Sequence, residues 1–429
     1  MSKKTFPIVE LTLDKIVSGG QTLGTLDDGR KAFIWGALPG EVVRAQVTKK
    51  KSSYVEGVVT EVLTPSSDRV APKDPESYIS TSPWQIMALA TENTHKSALI
   101  HDAFRLHSME LPSTTEVYSD GVEYGYRNKV EFSFWYDTDL DTLSLAFFRR
   151  GSHGKLAVEG TSLASPAISE TAQRVLKVLN EQNIEGRALK TLLIRSSQSG
   201  ATAWQLYVKD EDFPAEQVLS ALPSDENGEV IYSNPKSPAS VITRRLTKPG
   251  RPLSDTLFDI PFHYATEGFF QINLPVYEEA LRDMQAWIPQ GSKVVDMYSG
   301  VGTIGLTIGG DDVTLVEVNE HAVREMERNV TELGKNAHPV LAASEQALEY
   351  IVEGKTIIVD PPRAGLHEAV IERLLDQKPK RIIYLSCNPV TQARDVALLA
   401  SKYTISMHRG YNFFPHTPHI EHLVVLDLS

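Results

Sequence analysis

Cys387 is the only cysteine in 429 residues, and it closes the apolar run Arg381-Ile-Ile-Tyr-Leu-Ser just before Asn388-Pro389. A lone thiol has two readings: a small buried hydrophobe that fills a core, or a nucleophile held at a strand end. Other chemically useful residues recur at the ends of apolar runs. "TIIVDPPRAGL" ends in Asp360-Pro361-Pro362, where two prolines stiffen the backbone and hold the carboxylate in place, or simply make a rigid turn. "VVDMYSGVGTIGL" runs from a strand into a turn containing Gly300, Gly302 and Gly305, residues that let the backbone approach a ligand closely. Glu317 lies 21 positions after Asp296, at the end of the next run. An acid there can hold both hydroxyls of a ribose. No Gly-Lys-Ser/Thr follows the turn, so the nucleoside implied is a dinucleotide or S-adenosylmethionine rather than a triphosphate.

The elements that must position these residues form a strand–turn–helix alternation from about residue 290 onward. That is the mark of an α/β, doubly wound, Rossmann-like sheet whose ligands sit at the carboxyl ends of its strands. "KVVDMY", "VTLVEV", "TIIVD", "RIIYLS", "YTISMHRG" and "HLVVLDL" are the expected strands. We place this domain at residues 256–429. Residues 63–255 read as a central α+β domain with a helix over 83–110 that packs on the catalytic domain, a helix near 166–182, and strands around "KVEFSFWYD", "LSLAFF", "LKTLLIRSS" and "TAWQLYVKD". Residues 64–77, rich in Pro, Ser and Asp, look like a linker. Residues 1–62 carry short strands broken by turns, which suits a small β-barrel of the oligonucleotide-binding kind.

Composition narrows the class. A formal net charge of -12 argues against a general nucleic-acid coat, although local patches decide RNA binding. Two such patches are Lys49-Lys50-Lys51 and the cluster Arg244, Arg245, Lys248 and Arg251, each of which could equally be a solvated face. One cysteine excludes an intrachain disulfide and fits a reducing cytosol. No apolar run reaches the length of a membrane span, so a soluble, cytoplasmic protein is expected.

Residues 360–391 join Asp-Pro-Pro-Arg-x-Gly to Ile-Ile-Tyr-Leu-Ser-Cys-Asn-Pro-Val-Thr. This resembles the signature of the RNA (uracil-5)-methyltransferase family. "YNFFPHTPHIEHLVVL" resembles the family's second signature through Phe414-Pro415-His416-Thr417, His419 and Glu421, with Tyr411 and Asn412 as minor departures. "GFFQIN" resembles the family's Phe-x-Gln-x-Asn segment, whose glutamine, here Gln271, contacts the cofactor. The N-terminal stretch resembles a TRAM domain. Many members bind an iron–sulfur cluster through four cysteines; here those places fall on Lys73, Ile79, Ser82 and about Ala164. None of these can ligate iron, and no cluster is expected.

The resemblance implies methylation of uridine C5 in RNA by S-adenosylmethionine. Cys387 would attack C6 to make C5 electron-rich, Glu421 would remove the C5 proton as general base, and Asp360 would orient the uracil. Gln271, Tyr298, Gly300, Gly302, Glu317 and Asp360 would hold the cofactor. The RNA is expected to be 23S ribosomal RNA, with transfer RNA uridine 54 as the alternative. A target base within a stem must be flipped out. A monomer with no obligate protein partner is expected. Two other classes fit parts of the pattern: an amino-methyltransferase using Asp-Pro-Pro without a thiol, and an RNA-binding assembly factor without methyl transfer. His416, His419 and His422 invite a metal reading, but on a strand they would not share a face, so no metal site is assigned.

Overall fold

The computed structural model describes residues 6–152 and 154–429. Strands Ile8–Ile16, Thr22–Thr25, Lys31–Trp35, Val42–Lys50 and Tyr54–Thr64 close into a barrel in the order first, second, third, fifth, fourth. Alternation sends Leu11, Leu13, Ala32, Ile34, Val43, Ala45 and Val47 into its core, as period-two side chains on a closed sheet require. The stretch read as a linker is tied down. Buried Glu41 accepts from Arg69 Nε (2.5 Å) and from the amides of Leu38 (2.8 Å) and Ser66 (3.1 Å).

The C-terminal sheet has eight strands. In spatial order they are Ala337–Leu341, Val313–Glu317, Lys293–Met297, Lys355–Val359, Arg381–Ser386, Glu421–Leu428, Tyr403–Tyr411 and Val117–Tyr118. The first five are parallel; runs rich in Val, Ile and Leu bury both faces of the inner four, while the edge strand Ala337–Leu341 has no fully buried residue. The strand Glu421–Leu428 runs antiparallel to both its neighbours. That reversal matters for the site. A parallel strand would bring its carboxyl end to the ligand edge, whereas this one brings its first residue, Glu421.

Helix Leu89–Arg105 covers this sheet, within the stretch 83–110 expected to be helical. Its Ile100, Ala103 and Phe104 share a core with Val359, Tyr384 and Val424. The central region is a seven-stranded sheet in the order Arg244–Arg245, Gly228–Tyr232, Thr202–Val208, Leu189–Ser196, Lys129–Asp137, Thr142–Phe148, Lys155–Val158. Helix Pro166–Glu181 lays Ile168, Val175 and Leu179 on it. No helix among the described residues is long and apolar enough to cross a membrane.

Candidate active site

Four parallel strands end at Met297, Glu317, Val359 and Ser386, and the residues just beyond them build the site. The turn after Met297 is held from both sides. Asp296 Oδ2 accepts the Gly305 amide at 2.9 Å, and Glu317 Oε2 accepts the Gly300 amide at 3.0 Å. Tyr298, Gly300 and Gly302 all have positive φ, at 67°, 57° and 89°. A non-glycine residue in that region is strained and persists only where its surroundings fix it; here the Tyr298 hydroxyl donates to Ser344 Oγ at 2.9 Å. No atom lies within 4 Å of where a Gly300 Cβ would stand, so the turn faces open space. Asp296 is fully buried with Oδ1 unpartnered, and burial raises its pKa to about 8.

Asp360 follows the strand Lys355–Val359, and its amide lies 3.5 Å from the Met297 carbonyl. The Asp-Pro-Pro-Arg loop is fixed by Asp395. One oxygen of that carboxylate, Oδ2, accepts both the Leu366 amide and the Tyr384 hydroxyl at 2.8 Å. Asn388 caps helix Pro389–Leu399 by accepting the Val390 amide at 3.2 Å, and its Nδ2 donates to the Arg363 carbonyl at 2.9 Å. Capping and loop anchoring thus share one side chain, on the residue next to Cys387.

Cross-strand register brings Cys387 and Glu421 together. Ser386 pairs with His422 as the last rung between these two strands, and Cys387 and Glu421 are the residues that flank that rung, one just after the first strand and one at the start of the second. Their electrostatics agree with that placement. Cys387 is half-buried, and its thiol is pushed up to about 12 by burial and then by the Glu421 and Asp360 carboxylates, with Arg363 pulling the other way. Burial raises Asp360 to about 7. Burial, then the negative charge of Asp360, lifts Glu421 well above its ordinary range, and Arg363 again opposes. Arg363 was not assigned a role from sequence; its place in Asp-Pro-Pro-Arg was the available signal.

Gln271 lies between strand Ile260–Tyr264 and helix Leu274–Ala286, and its carbonyl accepts from Asn128 Nδ2 at 2.8 Å. Gln271, Tyr298, Gly300, Gly302, Glu317, Asp360, Cys387 and Glu421 thus all fall on the loop before that helix, the strand-end turns, or the start of the antiparallel strand. The three histidines diverge. His419 Nδ1 meets Arg363 Nη2 at 2.9 Å, His422 Nδ1 meets Gln392 Oε1 at 2.7 Å, and His416 Nε2 lies 3.2 Å from Glu123. No group of three or more His, Cys, Asp or Glu is placed to hold a metal ion among the described residues.

A family model described as tRNA (uracil-5-)-methyltransferase matches residues 345–428, which contain Asp360, Cys387 and Glu421, and a TRAM domain matches residues 3–60. An RNA methyltransferase of Thermosynechococcus vestitus is 28% identical over 452 residues, covering 98% of each chain. Another, of Enterococcus faecalis, is 29% identical over 423 residues, covering 92% of each. The chain resembles RNA methyltransferases along its whole length and the tRNA (uracil-5-)-methyltransferase family over residues 345–428. The solved tRNA (uracil-54, C5)-methyltransferase of Pyrococcus abyssi, in complex with S-adenosyl-L-homocysteine, shares its fold with a TM-score of 0.77 at 24% identity, over 97% of this chain and 100% of that one.

Around Ser82, one of the places where the resemblance would put a cluster ligand, hydrogen bonds join three segments. Asp74 accepts from Ser162 Oγ (2.8 Å) and Gln85 Nε2 (3.0 Å), and Gln85 also donates to Ser82 Oγ (2.7 Å). Of the basic cluster near 244–251, three members are engaged internally: Arg244 with Glu211, Arg245 with Glu267, and Arg251 with the Asp225 carbonyl. Lys50 and Lys51 on the barrel are exposed.

Proposed function

We propose that this methyltransferase adds a methyl group to C5 of a uridine in RNA through a covalent bond from Cys387 to uracil C6. The observation that carries the reading is that Cys387 and Glu421 flank the Ser386–His422 rung at the strand ends where Asp360 also lies. The residues that would hold S-adenosylmethionine are Gln271, Tyr298, Gly300, Gly302, Glu317 and Asp360. The open space over Gly300 fits such a ligand. When bound, S-adenosylmethionine supplies an electrophilic methyl group.

The thiol attacks C6, its proton passing to Asp360, a carboxylate held near neutrality. The C5–C6 electron pair moves onto the ring oxygen as an enolate, and C5 takes the methyl group. Glu421, made a stronger base by its raised pKa, removes the C5 proton. Elimination of the sulfur restores the C5–C6 double bond. For the RNA, large-subunit ribosomal RNA is our first reading, with the exposed lysines of the barrel on its backbone; transfer RNA uridine 54 is the second.

The test is incubation with total RNA and labelled methyl donor, followed by mapping of 5-methyluridine. An RNA carrying 5-fluorouridine at the mapped position, which has no C5 proton to lose, should then form a denaturation-stable complex with the wild type and none with Cys387→Ala. A Cys387→Ala enzyme that still methylates would overturn the covalent route.

A further inference from the structure

Strands Lys129–Asp137 and Leu189–Ser196 of the central sheet are antiparallel, and their register sets Lys129 directly opposite Arg195. Like charges so placed repel each other. The pair is also desolvated. Arg195 is 1% exposed with Nε and Nη1 unpartnered, and burial lowers the pKa of Arg195 to about 10 and that of Lys129 to about 8. The carboxylates that act on Arg195 are engaged by other groups. Glu267 accepts from Arg245 Nη2 and Gln205 Nε2, both at 2.7 Å, and Asp255 accepts from the Tyr264 hydroxyl and the Gln198 amide. Two facing buried cations destabilise a fold unless their bonds secure something else.

What these cations hold is one loop, between strand Ile260–Tyr264 and helix Leu274–Ala286. Arg195 Nη2 donates to the Gly268 carbonyl at 2.9 Å and Lys129 Nζ to the Glu267 carbonyl at 3.3 Å. Asn128, the residue before Lys129, donates from Nδ2 to the Gln271 carbonyl at 2.8 Å. Bonds from a charged donor are the stronger kind. Tyr264 adds a further anchor: Phe270 stacks on its ring with centroids 4.1 Å apart, and the Arg195 guanidinium lies 5.1 Å from its centroid. The hydrogen bonds all go to main-chain oxygens, so they fix the loop without occupying the Gln271 side chain.

We propose that Arg195, Lys129 and Asn128 are positioning residues for the methyl donor, setting the course of residues 267–271 so that the Gln271 side chain is preorganised to meet S-adenosylmethionine. The proposal rests on the reading above in which Gln271 holds that cofactor. Affinity for the cofactor is then set in part from the central domain, by side chains that act through the loop and do not touch the ligand. A loop already ordered before binding loses less freedom when the ligand arrives.

The test is a double-mutant cycle in the full-length enzyme, read as the calorimetric Kd for S-adenosylmethionine. Gln271→Ala and Arg195→Met should each weaken binding by about tenfold, the scale of one lost charge-assisted hydrogen bond. The double variant should bind no more than about twofold worse than Gln271→Ala, because a loop without its glutamine gains nothing from being held. Filter-binding affinity for total RNA, measured without the cofactor, should stay within about twofold of wild type in each single variant. If Arg195→Met melts early, Asn128→Asp, which removes the NH₂ at constant size, takes its place in the cycle. Fully multiplied losses in the double variant, wild-type cofactor affinity in the Arg195 or Asn128 variant, or equal losses for cofactor and RNA overturn the positioning role. Wild-type cofactor affinity in Gln271→Ala overturns the underlying placement of Gln271 instead.

Discussion

The ammonium of Lys96 donates to the amide oxygen of Asn412 at 2.6 Å, across 316 positions of sequence. Both side chains are fully buried. Glu92, one turn earlier on the same helix, pairs with Lys96 at 2.8 Å and accepts from Asn412 Nδ2 at 2.9 Å and from the His416 amide at 2.8 Å. A helix from the first third of the chain therefore fixes the path of 412–416, which delivers Glu421 to the sheet edge. Buried charge is tolerated there because each oxygen and ammonium hydrogen has partners.

Lys96→Met should then strand the Glu92 carboxylate in the interior. The expected loss is about 3–5 kcal/mol in denaturant unfolding, the scale for breaking one partner of a buried pair. Glu92→Gln added to Lys96→Met should recover part of it. An unchanged midpoint for the single variant would show that the pair is not held as described.

The strand-end residues were legible in the sequence because buried parallel strands are short apolar runs, and Asp360, Glu317 and Cys387 each close one. The barrel was legible from its turns and alternation. The Lys96–Glu92–Asn412 network was not, because a buried charge has no local pattern and its partners lie hundreds of residues apart. Nor was the antiparallel course of Glu421–Leu428, since an apolar run has no direction. Arg245, left open between an RNA surface and a solvated face, pairs with Glu267, a partner that no local pattern in the sequence announces.

Gly300 and Gly305 separate ligand approach from packing. A Cβ at Gly305 would come to 2.2 Å from Leu315 Cδ2 and 3.0 Å from Asp296 Oδ2, so Gly305→Ala should cost about 1–3 kcal/mol by overpacking. A Cβ at Gly300 meets nothing within 4 Å but must adopt φ 57°, a strain of roughly 1–2 kcal/mol. Gly300→Ala should in addition weaken calorimetric binding of S-adenosylmethionine by more than about tenfold, because the methyl occupies the donor's approach. Equal donor affinity in Gly300→Ala and wild type would place the donor elsewhere.

Glu421→Gln should uncouple bond formation from release. Without a carboxylate to take the C5 proton, the sulfur cannot be expelled, so unmodified RNA with the methyl donor should accumulate as a denaturation-stable adduct while turnover falls by about 10²–10⁴-fold. Cys387→Ala/Glu421→Gln should form no adduct. A Glu421→Gln enzyme that turns over at the wild-type rate would assign the proton abstraction to another group.

The same glutamate raises the thiol of Cys387, and this can be read without RNA. In the free enzyme, a thiol pushed up to about 12 by burial and by neighbouring carboxylates is protonated at neutral pH. Because the thiolate is the reactive form, iodoacetamide should label Cys387 slowly near neutrality, with the rate climbing through the alkaline range. Glu421→Gln removes a negative charge that opposes the thiolate, so the thiol's pKa should fall and labelling at a given alkaline pH should quicken. The sign is the informative part. Slower labelling in Glu421→Gln would mean that the carboxylate assists ionisation of the thiol, and that Cys387 and Glu421 do not face each other as like charges.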